Sequence, residues 1–244
     1  NPKTTITPGE ITIPCVQISD RPRFQWRGFM IDCSRTFWPL EYLRRIVDDL
    51  AKYKMNVFHL HLTDDQGWRV EIDKYPNLTA FGSKPDPRFE GERSGFYSKK
   101  DLRKLIQYAS DRNVMVVPEI DLPGHSRALN ASYPSLTCLN KQLDVVPHCW
   151  GYFLPPENAV CAGKESTYEF LEGVIDEVCE LFPSPYFHIG GDEVPTGEWE
   201  KCPDCQKRMG DEGLTKPRQL QDYFIRRMKS LLETRGKTMV GWCE

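Results

Sequence analysis

The chain has 244 residues, with 32 Lys and Arg against 35 Asp and Glu, so its formal net charge is −3. Without a basic excess, a nucleic-acid binder held by bulk charge is excluded, and no apolar run approaches the roughly 20 residues that a membrane-spanning helix needs. With 39% apolar and 11% aromatic residues the chain is not disordered, and its length suits one α/β barrel or one to two smaller domains.

Residues 1–23 are rich in Pro and Thr and read as the exit segment or linker of a preceding domain. The chain starts at Asn1 and has no signal-peptide pattern, which reads as a processed or excised piece. A regular beat then sets in. Gly28-Phe-Met-Ile-Asp32 predicts a buried strand, and Leu40, Leu43, Ile46, Val47 and Leu50 keep helical spacing. Asn56–Leu62 predicts a second strand. Ser98-x-x-Asp101 is a capping-box signature, followed by Leu102, Leu105, Ile106 and Ala109 on one helical face. Val114–Ile120 is a third strand. Ser166-x-x-Glu169 predicts the cap of a third helix carrying Phe170, Leu171, Val174, Ile175 and Val178. Tyr186–Ile189 is a fourth strand, Leu220, Tyr223, Phe224 and Leu231 mark a fourth helix, and Lys237–Trp242 is a fifth strand.

Strands alternating with helices predict βα units on a parallel sheet. Five strands fit either a flavodoxin-like sheet or part of a (β/α)₈ barrel. The long segments 63–97 and 121–165 both follow strand ends, where a barrel keeps its functional loops.

Polar residues gather at those ends: Asp32-Cys-Ser-Arg35, His61-Leu-Thr-Asp64-Asp65, Glu119-Ile-Asp121-Leu-Pro-Gly-His125, His188-Ile-Gly-Gly-Asp192-Glu193 and Trp242-Cys-Glu244. One such end is explained by an N-cap Asp; five in succession are not. Neighbouring strand side chains point to opposite faces, so Asp192 and Glu193 share a site only if Gly190 and Gly191 let the backbone leave strand geometry. Two carboxylates in one cleft are expected to split their pKa values, giving an acid and a charged stabiliser. His59-Leu-His61 supports a competing reading, a binuclear metal hydrolase completed by Asp121, His125 and Asp192. Satisfied strand histidines are the plain alternative. Trp38, Trp68, Trp150, Tyr152, Trp199 and Trp242 fall on loops or strand ends, and indoles beside carboxylates point to sugar rings.

Nine cysteines are an odd, scattered set, so a full disulfide framework is not expected. Cys202-Pro-Asp-Cys205 is a single C-x-x-C. A structural zinc wants a second pair at compatible spacing, and the sequence offers none, so a local disulfide or two buried thiols is the expectation. Two sequons, Asn77-Leu-Thr79 and Asn130-Ala-Ser132, matter only in a secretory setting.

Four motifs occur in order at successive strand ends: Arg27-Gly-Phe-Met-Ile-Asp32-x-x-Arg35, His61-Leu-Thr-Asp-Asp-Gln-Gly-Trp68-Arg, Asp121-Leu-Pro-Gly-His125 and His188-Ile-Gly-Gly-Asp192-Glu193. Together they resemble the catalytic domain of a family-20 glycoside hydrolase, a β-N-acetylhexosaminidase, over about residues 24–244. The resemblance implies a (β/α)₈ TIM barrel, of which this chain is the N-terminal part ending near the fifth strand. It implies hydrolysis of N-acetylhexosamine-terminated glycans, with no metal, no cofactor and an extracytoplasmic setting. By similarity Glu193 is general acid and then base, and Asp192 orients the 2-acetamido group, whose carbonyl oxygen attacks the anomeric carbon. Arg27 grips hydroxyls of the terminal sugar, Trp242 walls the acetamide pocket, and His125 with Asp64 or Asp65 positions Glu193. Asp32, Arg35 and Asp121 support the site. A non-catalytic sugar-binding fragment is the alternative, because the later strands normally supply further substrate contacts.

Overall fold

The computed structural model describes residues 5–7, 9–84, 94–145 and 158–243. Trp150, Tyr152, Cys149 and Glu244 lie outside them. Five strands form one parallel sheet: β1 (Gly28–Asp32), β2 (Val57–His61), β3 (Met115–Glu119), β4 (Tyr186–His188) and β5 (Thr238–Val240). They are hydrogen-bonded in sequential order. A flavodoxin-like sheet would place its first strand between the second and third. The sequential order is that of a TIM barrel, and the five strands form an arc of one.

Four helices connect the strands: α1 (Leu40–Lys52), α2 (Lys99–Ser110), α3 (Glu165–Leu181) and α4 (Pro217–Thr234). Each turns an apolar stripe to the sheet. Leu43, Val47 and Leu50 of α1 are buried, as are Leu102, Leu105 and Ala109 of α2. The capping box at α2 forms: Ser98 Oγ accepts the Asp101 backbone N–H at 3.1 Å and donates to its carboxylate at 2.7 Å. The cap predicted at Ser166 does not form, because α3 begins one residue earlier, behind Lys164. The Lys164 ammonium is tied to the carbonyls of Ser135 and Thr137, which fixes where the helix starts.

Strand register sets the site. Asp32 pairs with His61, His61 with Glu119, and Glu119 with His188. Paired residues of neighbouring strands share a face, so four polar side chains form one row across the sheet near the C-terminal strand ends. His59, two residues before His61, lies on that same face.

Two sequence expectations change. Trp68 and Trp199 are 1% and 0% exposed, and their indole N–H groups donate to Val70 O and Val160 O. They are core residues, since an indole N–H satisfied by a nearby carbonyl packs without cost. Asn130 of the second sequon is fully buried and donates to Ala159 O, so the folded chain does not present it for glycosylation.

Candidate active site

Glu119 is the buried hub of the polar row. His59 Nε2 lies 2.7 Å and His61 Nδ1 3.0 Å from its Oε2, and His188 Nδ1 lies 3.2 Å from Oε1. The Trp242 indole N–H donates to the same Oε1 at 3.1 Å. Burial alone would raise this carboxyl, but the imidazoles of His188, His59 and His61 outweigh it and hold it well below the usual range. Burial would likewise lower the His61 imidazole. Hydrogen bonds to Asp64 and Glu119 reverse that and raise it well above its ordinary value.

This geometry turns His59 and His61 to Glu119, a carboxylate outside the ligand set of the binuclear-metal reading. Two ligands of one tetrahedral zinc, each about 2.0–2.2 Å from it, stand roughly 3.4 Å apart. The 2.7 Å between His59 Nε2 and Glu119 Oε2 is shorter, a direct imidazole–carboxylate contact.

Asp64 and Asp65 follow β2 on a tight hairpin, Thr63–Asp64 against Gly67–Trp68. Asp64 binds Arg35 Nη2 at 2.7 Å, His61 Nε2 at 2.9 Å and His125 Nδ1 at 3.3 Å. Burial opposes its ionisation, but His125, His61 and Arg35 more than offset this and depress the carboxyl strongly. Arg35 also pairs with Asp32 at 2.9 Å, and Asp32 accepts the backbone N–H groups of Ser34 and Arg35, which shapes the turn after β1. Asp65 accepts from the backbone of Arg127 and from Asn158 Nδ2 at 3.2 Å.

His125 joins this charged layer to the adjacent carboxylates. Its Nε2 lies 3.6 Å from Glu193 Oε2 and 3.8 Å from Asp192 Oδ2. Burial would lower the imidazole. Asp64 and Asp65 outweigh it, and the group is pushed up to about 11. His125 and Glu193 both have φ of 48°, a left-handed backbone that costs a non-glycine residue energy and concentrates at functional sites.

Gly190 and Gly191, at φ 65° and 96°, turn the chain so that Asp192 and Glu193 both approach His125. Gly190 has a second duty: a Cβ there would lie 1.8 Å from Asp121 Oδ1. Asp121 therefore packs against bare backbone and accepts the Gly191 N–H at 3.2 Å. Burial raises the Asp121 carboxyl well above its usual value, with the Glu119 and Asp192 charges adding to the rise. The Asp192 carboxyl is raised too, first by burial. The Glu193 side chain is the more open of the pair, 55% exposed against 25% for Asp192.

Trp242, 42% exposed, lies tilted against His188 with ring centroids 4.5 Å apart. Trp38 is half-buried against Tyr42, its indole donating to Asp32 O. A cleft of about 560 Å³ runs beyond Trp242 along β5 and α4, past Gly190, Gly191 and Ile225.

Arg27 is not part of this site. It precedes β1 at the opposite, N-terminal end of the sheet, and its guanidinium donates to Lys54 O at 2.7 Å and Phe24 O at 2.6 Å. The strand-end arginine among the carboxylates is Arg35. Sequence reasoning gave no role to Asn158, which no motif marks. Glu119, His59 and His188 were visible as polar residues of the strands, but their convergence needed the register.

A family model described as glycosyl hydrolase family 20, catalytic domain, matches residues 24–244. A β-hexosaminidase of Porphyromonas gingivalis is 47% identical over 238 residues, covering 96% of this chain and 30% of the relative. One from Vibrio furnissii is 41% identical, covering 96% of this chain and 39% of the relative. The crystal structure of β-N-acetylhexosaminidase from Bacteroides fragilis superposes with a TM-score of 0.84 at 44% identity, covering 94% of this chain and 44% of that one. The exo-β-N-acetylglucosaminidase of Vibrio harveyi, solved with N-acetylglucosamine, has a TM-score of 0.80 at 39% identity, covering 91% and 36%. The chain thus spans less than half the length of these relatives.

Proposed function

The chain belongs to glycosyl hydrolase family 20, and from that membership we propose that its site carries the acid–base chemistry of a retaining exo-β-N-acetylhexosaminidase. One observation carries the reading: two adjacent carboxylates, Asp192 and Glu193, stand 3.8 and 3.6 Å from a single imidazole that Asp64 holds from behind. That unit offers a proton donor, a second carboxylate and a fixed spacing between them.

Glu193, the open member, meets the glycosidic oxygen of a terminal β-N-acetylhexosamine and protonates it as the leaving group departs. Asp192 accepts the N–H of the 2-acetamido group and aims its carbonyl oxygen at the anomeric carbon. That oxygen forms the new bond as the glycosidic bond breaks, giving an oxazolinium ion. The positive charge developing on the acetamido nitrogen favours the charged form of Asp192 and counters the rise caused by burial. Water then attacks the anomeric carbon as its bond to the acetamido oxygen breaks, restoring the acetamide, and gives its proton to Glu193. Two inversions retain the configuration. His125 is a positioning residue for both carboxylates, Trp242 forms a wall for the acetamide, and Arg35 takes sugar hydroxyls in place of Arg27. Asp32, Asp64, Asp65 and Asp121 orient these groups. Residues 1–23 precede the matched span and serve as its lead-in.

The test is release of p-nitrophenol from p-nitrophenyl β-N-acetylglucosaminide by the full-length protein, with the β-glucoside as control. Glu193→Gln is expected to lower the rate by roughly 10²- to 10⁴-fold, and the glucoside, lacking the acetamide, to be left intact. A near-normal rate in the variant overturns the acid assignment. Sugar binding without turnover in the wild type favours the non-catalytic alternative.

A further inference from the structure

Four cysteines meet away from the carboxylates. Cys138 Sγ lies 3.7 Å from Cys205 Sγ, and Cys161 Sγ lies 3.7 Å from Cys202 Sγ and 3.6 Å from Cys205 Sγ. All four sulfurs fall within 4.8 Å of one another. A disulfide needs about 2.05 Å between sulfurs, so none is formed. Four thiolates at about 2.3 Å around one tetrahedral zinc stand about 3.8 Å apart, close to what is seen. An iron–sulfur cluster, with several metal atoms between its cysteines, would hold them farther apart.

We propose that Cys138, Cys161, Cys202 and Cys205 bind one structural Zn²⁺, which ties the loop after β3 to the loop after β4. The C-x-x-C pair does have its second half. It comes from two cysteines of the 121–165 segment that only the fold brings near.

The surroundings suit a bound ion. Cys161, Cys202 and Cys205 are buried, and Cys138 is half-buried. Backbone N–H groups of Gly163 and Lys164 donate to the Cys161 sulfur, the kind of outer hydrogen bond that orients a thiolate ligand. Gly163 is required: a Cβ there would lie 2.3 Å from the backbone of Asp204 and Cys205, so the two ligand segments touch main chain to main chain. The Lys164 ammonium ties the Cys138 turn through Ser135 O, Thr137 O and Asn140 Oδ1. Cys161 N–H donates to Leu136 O at 2.7 Å. Four protein ligands leave no open position, which makes the site structural rather than catalytic.

The ion would also steady the active site at one remove. Asn158, three residues before Cys161, holds Asp65, and Val160 N–H donates to Pro123 O beside Asp121. Cys202 lies nine residues after Glu193.

The full-length protein, expressed with added zinc and purified with reductant and without chelator, is expected to carry about one zinc per chain at these ligands. Cys202→Ser with Cys205→Ser loses that zinc, and Cys15→Ser, at an exposed cysteine, keeps it. Wild-type protein reconstituted with Co²⁺ shows thiolate-to-cobalt charge transfer and the intense visible bands of a tetrahedral tetrathiolate, a readout that needs no variant to fold. Wild-type protein that binds neither metal, or whose peptide map shows these cysteines in disulfides, overturns the proposal. One iron per chain in place of zinc overturns the choice of metal.

Discussion

Replacing Asp64 by Asn asks how the site keeps His125 charged. Asp64 is fully buried and contacts His125 Nδ1 at 3.3 Å. At an effective dielectric of about 20, a unit charge 3.3 Å away is worth roughly 5 kcal/mol, or about 3 to 4 pK units. Asp65 remains at 3.7 Å, and burial still opposes the cation. The variant is therefore expected to bring the imidazole from about 11 down to about 7 or 8. The sign follows from linkage. The folded value of His125 lies above its ordinary 6.5, so the cation's stabilisation is fully present below pH 6.5 and fades as pH rises through about 11. In Asp64→Asn that fading moves to between about pH 7 and 8. The His125 Cε1–H resonance, followed by NMR from pH 5 to 10, should titrate near neutrality in the variant and stay protonated in the wild type. On the proposed function, kcat/KM should gain an alkaline limb over the same interval, because a neutral imidazole no longer holds both carboxylates. A resonance that stays protonated to pH 9 in the variant refutes the electrostatic argument.

Three further outcomes follow from the geometry. Gly190→Ala adds a Cβ 1.8 Å from Asp121 Oδ1 at φ 65°; the left-handed backbone alone costs roughly 1–2 kcal/mol, and denaturant unfolding should show at least that loss, an unchanged midpoint counting against the packing described. Arg35→Ala, which removes charge-assisted hydrogen bonds worth about 1.5–3 kcal/mol, should lower kcat/KM by roughly 10- to 100-fold, whereas Arg27→Ala should leave kcat/KM unchanged; the reverse pattern in steady-state kinetics restores Arg27 to the substrate. Glu119 is depressed well below its ordinary 4.5, so its contribution is present above that pH and lost as pH falls through the folded value; the stability gap between wild type and Glu119→Gln, followed by thermal unfolding, should narrow below about pH 4, and a constant gap argues against the imidazole clamp.

The architecture was legible because strand and helix signals are local. Continuous apolar runs such as Val114–Val117, and apolar stripes such as Leu43, Val47 and Leu50, owe little to distant residues. Strand order was not legible from periodicity, since five βα units fit a sheet or a barrel; the four ordered motifs pointed to the barrel, and the hydrogen bonding between neighbours agrees. The indoles misled for a related reason. Trp68 and Trp199 follow strands, as substrate-facing residues do, but burial depends on what the returning loops cover. Gly82 and Ser132 lie against the Trp68 region, and Val160 lies against Trp199.

The two arginines show where motif reading stops and geometry begins. Both belong to one run, Arg27-Gly-Phe-Met-Ile-Asp32-x-x-Arg35, and either has the fork that suits sugar hydroxyls. A β-strand rises about 3.3 Å per residue, so a run of nine residues can separate its ends by more than 20 Å. Strand direction decides which end serves the site, and in a parallel barrel the working end is C-terminal. Arg35 stands there, held by Asp32 and Asp64, while Arg27 is fastened to Lys54 O and Phe24 O at the far end. The same logic hid the cysteines. Cys138 and Cys161 are too far apart in sequence to read as a pair, yet the loops after β3 and β4 leave neighbouring strands at the same end of the sheet. Parallel neighbours must bring their following loops together. Convergence at that end therefore builds both the carboxylate cleft and the cysteine cluster behind it.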